Sequence, residues 1–232
     1  MKSPDVAGMF GRIARFYDML NRVLSLGLDR RWRGALARAA LRNAPPGNIV
    51  ALDLAAGTLD VALALRRLRA DALVPALDFC PPMLVRGRRK LAGEDAAAIL
   101  PVAADAKKLP LPAASAHCLT MAFGIRNITP RETAFAEMLR VLKPGGRGCI
   151  LEFGSGQERI WGGLYNFYLN NILPRAGGFF SGDPAAYEYL AETIRAFPPA
   201  GKLEEEMKAA GFARVWHIRL TSGIVCLHVG EK

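Results

Sequence analysis

Acidic side chains stand at the ends of three successive apolar runs in the first half of the chain. Asp53 lies near the end of the first run, Asp78 ends the second, and Asp105 follows the third. An acid at the tip of the second strand of an α/β sheet can accept hydrogen bonds from both hydroxyls of a ribose. A carboxylate after the third strand could meet the exocyclic amine of adenine. Together the three acids favour a nucleoside cofactor.

A turn of small residues follows the first run, with the sequence LDLAAGTLD over residues 52–60. Such a turn between a strand and a helix lets a ligand approach the backbone and the helix N-terminus closely. The turn lacks the glycines that a pyrophosphate requires, which disfavours NAD and FAD. Each acid alone has a simpler explanation, because Asp often caps a helix after a strand.

A parallel sheet is needed to bring these residues together. Apolar runs predict strands at 49–54, 73–78, 99–103, 119–123 and 148–153, and helical spacing predicts helices at 61–68, 82–91 and 131–142. This alternation indicates βαβ units with right-handed crossovers. Near the end, a helix at 203–210 precedes strand-like runs at 213–220 and 223–229, joined by a Thr-Ser-Gly link. They predict a hairpin that finishes the sheet with antiparallel strands.

Two segments fall outside this alternation. Residues 1–43 are predicted to form arginine-rich amphipathic helices, an N-terminal arm. Residues 154–200 hold nine of the 19 aromatic residues. We interpret this segment as an insertion that covers a flat, apolar ligand, although aromatic packing inside a helical layer would explain part of it. Because no internal repeat or linker is found, residues 1–232 are predicted to form a single domain.

The composition narrows the class of protein. A chain of 232 residues with 51% hydrophobic and 8% aromatic residues is typical of a globular protein with a full core, and it argues against disorder. The longest uncharged run, residues 109–125, is shorter than the roughly 20 apolar residues of a membrane-spanning helix. Four dispersed cysteines indicate free thiols in a reducing cytoplasm. The net charge of +10 suits contact with nucleic acid or an anionic membrane, or simply solvated arginine-rich helices.

Seven segments give a specific resemblance. In chain order they are DLAAGT, LPLP, FGIRN, VLKPGG, LEF, YEYLAETIRAFP and LTSGIVCLH. They resemble the ubiquinone/menaquinone biosynthesis C-methyltransferases of the UbiE/MenG type, and so does the opening segment FGRIARFYDMLNRVLSLGLDRRWR. The DLA-type turn and LKPGG occur in many S-adenosylmethionine (SAM) methyltransferases, whereas FGIRN with YLAETI is more selective. The resemblance implies a seven-stranded, Rossmann-like SAM-methyltransferase sheet with an antiparallel last strand.

The resemblance also implies SAM as the cofactor and S-adenosylhomocysteine as the product. It places Thr58 at the methionine end of SAM, Asp78 at the ribose, and Asp105 with Ala106 at the adenine. The other residues expected to contact the cofactor are Asp53, Ala55, Gly57, Phe79 and Ala122. No metal is expected, because no cluster with metal-ligand spacing occurs in the sequence.

Three positions depart from the family's pattern. Ala56 and Leu59 stand where the family's loop usually has glycine, and Ala122 stands where a serine usually precedes FG. Alanine disfavours positive φ, so a loop that needs positive φ at residue 56 would have to shift. Leu59 is expected near the first helical turn, facing either the cofactor or the core. These departures bear on the affinity for SAM more than on the fold.

The reaction that the resemblance implies is methylation of a ring carbon in a reduced quinone. Loss of a phenolic proton would push electron density onto the adjacent ring carbon, which would attack the methyl group. We expect Arg126 to hold the phenolate oxygen or polarise a water, unless it pairs with an acid such as Glu132. Asn127 is expected to orient the other oxygen. Tyr17 and Asp18, in the arm, are expected to close over the pocket, with Asp18 as a candidate base.

The expected substrate is demethylmenaquinol, whose polyprenyl tail would remain in the bilayer. The arm and the aromatic insertion would then hold the pocket against an anionic membrane surface, at the inner face of the cytoplasmic membrane. Within the same class, the alternatives are the methoxy-polyprenyl benzoquinol of the ubiquinone pathway or another small molecule. Outside it, the alternative is a basic RNA-binding protein, although no RNA-recognition motif is present. The sequence does not indicate whether the protein forms a homo-oligomer.

Overall fold

The fold is built around one mixed β-sheet. The computed structural model describes residues 6–154 and 184–232. The strands in these ranges are β1 (Ile49–Leu54), β2 (Ala72–Asp78), β3 (Ile99–Ala103), β4 (Ala116–Ala122), β5 (Leu142–Phe153), β6 (Arg214–Leu220) and β7 (Val225–Glu231). They lie in the order β3-β2-β1-β4-β5-β7-β6. The first five pair in parallel, whereas β7 is antiparallel to both β5 and β6. The predicted parallel sheet with an antiparallel finish is confirmed.

Helices connect the strands. Within the described ranges they are α1 (Val6–Leu24), α2 (Asp29–Leu41), α3 (Asp60–Leu68), α4 (Pro81–Arg88), α5 (Glu94–Ala98), α6 (Arg131–Val141), α7 (Pro184–Ala196) and α8 (Ala200–Ala209). The two helices of the predicted arm are therefore present. Across residues 6–154 and 184–232, no helix combines the length and the apolar character needed to cross a membrane. Six of the nine aromatic residues of the predicted insertion lie in 155–183, outside the described residues.

Strand β5 starts earlier than the sequence predicts. Leu142 pairs with β4, and Arg147 pairs with both β4 and β7, so β5 has 12 residues rather than the predicted six. The register with β4 shifts between Ala116 and Cys118, as at a β-bulge. The apolar pattern missed residues 142–147, with the sequence LKPGGR, because a proline, two glycines and two cations after Leu142 give no apolar run.

Helices cover both faces of the sheet. α2 and α3 pack on one face, where Leu36 is fully buried, and α6 and α8 pack on the other, where Phe135 is fully buried. Adjacent residues of one strand serve opposite faces, since Ala51 joins the first core and Leu52 the second. Burial on both faces explains why the strands read as apolar runs rather than as alternating patterns.

The turn between β1 and α3 has a left-handed backbone at three positions. Ala55, Gly57 and Leu59 have φ of 51°, 52° and 67°. Ala56 is not among the positive-φ residues, so glycine is not required there. Leu59 precedes the first residue of α3, and its side chain is fully buried in the core. A Cβ on Gly87 would lie 2.5 Å from Leu59 Cγ, so α4 can pack here only because residue 87 is glycine.

Leu59 lets burial and backbone strain be measured separately. Replacement by Ala or Gly removes the buried isopropyl group beyond Cβ, so both variants should lose about 2–5 kcal/mol of unfolding free energy. Only Gly also relieves the left-handed backbone, which is worth about 1 kcal/mol. We therefore expect Leu59→Gly to be the more stable variant, the reverse of the usual order in a helix. Urea unfolding compares the two directly, and an Ala variant as stable as the Gly variant would contradict the strain.

Candidate active site

A cavity of about 420 Å³ opens at the carboxyl edge of the sheet. Its volume lies within the range of about 300–1,000 Å³ that is usual for small-molecule sites. The carboxyl ends of β1, β2 and β4 contribute to its wall, at the edge where open α/β sheets bind ligands. Ten of the residues predicted from the sequence line it: Tyr17, Ala55, Gly57, Asp78, Phe79, Asp105, Ala106, Ala122, Arg126 and Asn127.

Asp78 joins the two loops that form the floor of this cavity. Its Oδ2 accepts a hydrogen bond from the Gly57 amide at 2.8 Å, and its Oδ1 accepts one from the Cys80 amide at 2.8 Å. Burial raises the pKa of Asp78, and the two amide bonds oppose that rise. A carboxylate has about four acceptor positions, so each oxygen retains one. Two neighbouring hydroxyl groups, such as those of a ribose, match this remaining capacity.

The mouth of the cavity carries the residues predicted to meet adenine. Asp105 lies at the rim with its side chain 57% exposed, and its Oδ1 accepts the Lys107 amide hydrogen at 2.8 Å. Phe79 also lines the cavity and is 44% exposed, an unusual exposure for a large apolar ring. Together with Ala106 it offers an apolar surface beside an acceptor, which suits a flat heterocycle with an amino group.

Asp53 differs from the sequence prediction, because it does not line the cavity. It is 1% exposed, and its Oδ1 accepts a hydrogen bond from Thr120 Oγ1 at 2.8 Å. Within the described residues, its Oδ2 is buried without a hydrogen-bond partner. Burial raises the pKa of Asp53 to about 7. Asp53 therefore supports the turn from the protein interior rather than contacting a ligand from the cavity wall.

Thr58 and Asp18 also lie outside the cavity wall, where they bind each other. The Thr58 hydroxyl donates to Asp18 and accepts from Lys90 Nζ at 3.0 Å. Lys90 Nζ also pairs with Asp18 Oδ2 at 2.6 Å and with Asp60 Oδ1 at 2.7 Å. One ammonium thus holds α1, the turn and the start of α3 together. The Asp18 carboxylate is engaged in this network, which disfavours the predicted role of Asp18 as a base.

Lys90 was missed by the sequence analysis. It lies in a run with three arginines, and such a run is ordinarily a solvated surface. In the structure its side chain is only 25% exposed. Burial opposes ionisation of Asp60, but the cations Arg33 and Lys90 outweigh it and keep the pKa of Asp60 below its ordinary value. The negative charge of Asp60 therefore persists at neutral pH and helps to hold Lys90.

Arg126 lines the cavity as half of a buried ion pair. Its Nη1 donates to Glu152 Oε1 at 2.8 Å and to the Phe123 carbonyl at 2.6 Å. The side chains of Arg126 and Glu152 are 5% and 0% exposed, and the guanidinium lies 5.7 Å from the centre of the Phe153 ring. The acid that pairs with Arg126 is Glu152 rather than Glu132. This pair could not be predicted from local sequence patterns, because 26 residues separate its members.

Asn127 meets a residue from the predicted insertion. The Tyr189 hydroxyl donates to Asn127 Oδ1 at 3.2 Å, and both residues line the cavity. Burial raises the pKa of Tyr189, while the charge of Arg126 acts in the opposite direction. Tyr189 is one of the nine aromatic residues of 154–200, and it is not among the site residues predicted from the sequence. Tyr189 could have been identified as a site residue from its place in the selective YLAETI segment.

The fold and the cavity define a SAM-dependent methyltransferase. The chain matches the model of the ubiE/COQ5 methyltransferase family over residues 1–232, and it belongs to that family.

Comparisons with individual proteins agree with this assignment. The chain is 43% identical over 224 residues to the demethylmenaquinone methyltransferase of Thermus thermophilus, covering 97% of this chain and 100% of that protein. It is 43% identical over 226 residues to the ubiquinone/menaquinone biosynthesis C-methyltransferase UbiE of Syntrophotalea carbinolica, covering 97% and 93%. A solved structure of a putative SAM-dependent methyltransferase from Methanococcus maripaludis has a TM-score of 0.63 at 17% identity, covering 94% and 91%. That likeness supports the fold alone.

The buried Asp53 predicts a pH dependence of stability. Its folded-state pKa of about 7 exceeds its ordinary value near 4, so the folded protein binds this proton more tightly than the unfolded chain does. Stability from this group should therefore fall as pH rises through that window, by up to about 1.4 kcal/mol per pH unit. Asp53→Asn keeps the size of the side chain and removes the titration. Its unfolding free energy should rise relative to wild type as pH increases from about 4 to 7, and parallel pH profiles in urea would contradict this.

Proposed function

We propose that this chain transfers the methyl group of SAM to a ring carbon of a polyprenylated quinol, with demethylmenaquinol as the substrate. The main support for this proposal is that one cavity brings two features together. Its floor contains the hydrogen bond between Asp78 and Gly57, and its wall contains Arg126, Asn127 and Tyr189. The names of the relatives support the substrate class. Because some are called demethylmenaquinone methyltransferase and others ubiquinone/menaquinone C-methyltransferase, the ubiquinone-pathway benzoquinol is the second candidate.

The floor of the cavity fits SAM. Asp78 would hold the ribose, while Phe79, Asp105 and Ala106 would border the adenine. Gly57 has a φ of 52°, a backbone conformation that favours glycine, and a Cβ at this position would lie at ordinary contact distance, 3.5 Å, from Met83 Cε. When bound, SAM supplies an electrophilic methyl group on a positively charged sulfur.

The wall of the cavity supplies fixed hydrogen-bond donors. Glu152 and the Phe123 carbonyl hold the Arg126 guanidinium in place before any substrate enters. Such preorganisation is what makes a donor effective toward a negative charge that develops during reaction. Arg126 would stabilise an ionised phenol oxygen. The Asn127 amide, whose oxygen is occupied by Tyr189, retains its N–H groups for the second ring oxygen.

The arm would close the pocket through Tyr17 rather than supply the base through Asp18. Tyr17 lines the cavity, while the neighbouring Asp18 turns toward Lys90 and Thr58. In this proposal Asp18 secures α1 against the SAM-binding turn. Tyr189 supports a covering role for the segment 154–200, because its hydroxyl group reaches the cavity wall.

We further propose that the protein acts at the inner face of the cytoplasmic membrane. Support comes from the net charge of +10 and from exposed arginines on α1, on α2 and directly after α2. These are Arg12, Arg22, Arg30, Arg31, Arg38 and Arg42. Attraction to an anionic surface would bring the pocket to a substrate whose tail stays in the bilayer, and it would weaken as salt increases.

The role of Asp78 predicts a change in SAM affinity. In Asp78→Asn the amide nitrogen cannot accept a hydrogen bond, so one acceptor for a ribose hydroxyl is lost. We expect SAM binding to weaken by about 1.5–3 kcal/mol, which is roughly 10- to 150-fold. Calorimetry measures the affinity, and Asp71→Asn on the exposed turn before β2 is the control. Unchanged SAM affinity in a folded Asp78→Asn variant would remove Asp78 from the site.

Arg126 and the redox state of the ring test the chemistry. An oxidised quinone has no phenolic proton to lose, so turnover should require a reductant such as dithionite. The double variant Arg126→Gln/Glu152→Gln removes the donor without leaving a buried unpaired charge. We expect its kcat to fall by about 10²–10³, with KM changed less, because phenolate charge develops toward the transition state.

The assay uses a short-chain demethylmenaquinone, fully reduced or fully oxidised, under anaerobic conditions. The double variant Arg131→Gln/Glu206→Gln is the matched control, because it removes another Arg–Glu ion pair whose residues do not line the cavity, and it should keep its activity. Equal rates on the oxidised ring, or a methyl group found on oxygen, would contradict the quinol reaction. A fully active double variant would contradict only the role of Arg126.

A further inference from the structure

A second cavity lies on the side of the molecule formed by α1, α2 and α3. Its volume is about 270 Å³, and none of the residues that line it also lines the first cavity. Four arginines line it: Arg22, Arg30, Arg33 and Arg67. The acidic residue in its lining is Asp60. A cavity lined by four arginines and one aspartate has a strong excess of positive charge.

The carboxylate of Asp60 is already occupied. Its Oδ2 pairs with Arg33 Nη1 at 2.6 Å, and its Oδ1 pairs with Lys90 Nζ at 2.7 Å. Arg33 Nη1 also donates to Asp29 Oδ2 at 2.7 Å, and the Arg33 residue is only 7% exposed. These contacts fix Arg33 as a buried cation at the base of the cavity. Both carboxylate oxygens of Asp60 are thus engaged by Arg33 and Lys90, and the charge of Arg22 acts on Asp60 without a direct ion pair.

The remaining three arginines have no direct ion-pair partner in the part of the chain that the structure describes. In residues 6–154 and 184–232, the side chains of Arg22, Arg30 and Arg67 make no ion pair or hydrogen bond, and all three residues are exposed. Guanidinium groups that share one cavity repel each other unless an anion lies between them. Their planar N–H groups match the oxygens of a phosphate in geometry as well as charge.

We propose that this cavity binds a phosphate group, and that the phosphate belongs to the headgroup of an anionic membrane lipid. The lipid source is favoured by three exposed apolar residues on α1 and the turn after it: Met19 (45% exposed), Val23 (47%) and Leu26 (88%). They flank Arg22 in the sequence, so apolar side chains could enter the bilayer where the arginines meet its phosphates. The assignment to a lipid rests on the proposed membrane attachment, whereas phosphate binding itself does not.

Two triple variants test the site. The cavity variant is Arg22→Gln/Arg30→Gln/Arg67→Gln. The control, Arg38→Gln/Arg42→Gln/Arg195→Gln, removes the same charge from exposed arginines outside the cavity. Inorganic phosphate is titrated by calorimetry at constant ionic strength. We expect the cavity variant to bind phosphate at least about tenfold more weakly than the control does, with thermal unfolding showing that both are folded.

Vesicles identify the source of the phosphate. Sedimentation compares vesicles of phosphatidylglycerol with phosphatidylcholine against vesicles of phosphatidylcholine alone. Weaker partition of the cavity variant than of the control onto the anionic vesicles supports the lipid headgroup. A cavity variant that loses inorganic phosphate but partitions like the control overturns the lipid source and keeps the phosphate site.

Two results would overturn the site itself. One is equal behaviour of both triple variants with both probes, which would mean diffuse surface charge. The other is a wild-type protein that binds neither inorganic phosphate nor the anionic vesicles. Neither probe requires SAM or a quinol, so a failure of the proposed methyl transfer would leave this test unaffected.

Discussion

The geometry of the first cavity depends on one buried carboxylate. Asp78 sits at the end of β2 and is 6% exposed, where an ionised group is costly unless it is well hydrogen-bonded. The amides of Gly57 and Cys80 provide those bonds. The same two bonds tie the turn after β1 to the loop after β2, which are separate in the chain. The need to satisfy this carboxylate therefore holds the cavity floor in shape before any ligand arrives.

Lys90 provides a second layer of support behind the turn. A partly buried ammonium needs acceptors, and Lys90 finds three of them on Asp18, Thr58 and Asp60. Two of these acceptors are carboxylates from separate helices, α1 and α3. The Lys90 ammonium that pairs with Asp60 at the start of α3 thus also holds α1 in place through Asp18. Asp18 has a structural reason to be present that is independent of proton transfer.

The sequence predicted the sheet and most of the cavity wall for a clear physical reason. Both depend on local patterns, since apolar runs define strands and strand ends define the edge where Asp78, Arg126 and Asn127 must lie. Asp53 and Thr58 were placed less well. A small-residue turn is recognisable in the sequence, but the side that each side chain faces depends on the left-handed residues within it, and these depend on tertiary packing.

Local sequence patterns could not identify side-chain partners that lie far apart in the chain. Glu152 lies near the end of the apolar run that predicts β5, and nothing in that run indicates its partner. In the structure it is buried and holds Arg126 in position. Tyr189 reaches Asn127 from 62 residues away. A single sequence shows each of these residues but not the pairs that they form, because the pairing follows from how strands and helices are arranged in space.

One helix, α1, contributes a residue to each of the two cavities. Tyr17 lines the first and Arg22 lines the second, five residues apart on one helix, or about 7.5 Å along its axis. A helix moves as a rigid unit over this distance, so a position of α1 that seats Arg22 also seats Tyr17. The bonds from Asp18 to Lys90 and Thr58 lie between these two contacts. An anion held by the arginines of the second cavity would therefore also hold α1 in the position in which Tyr17 lines the first cavity.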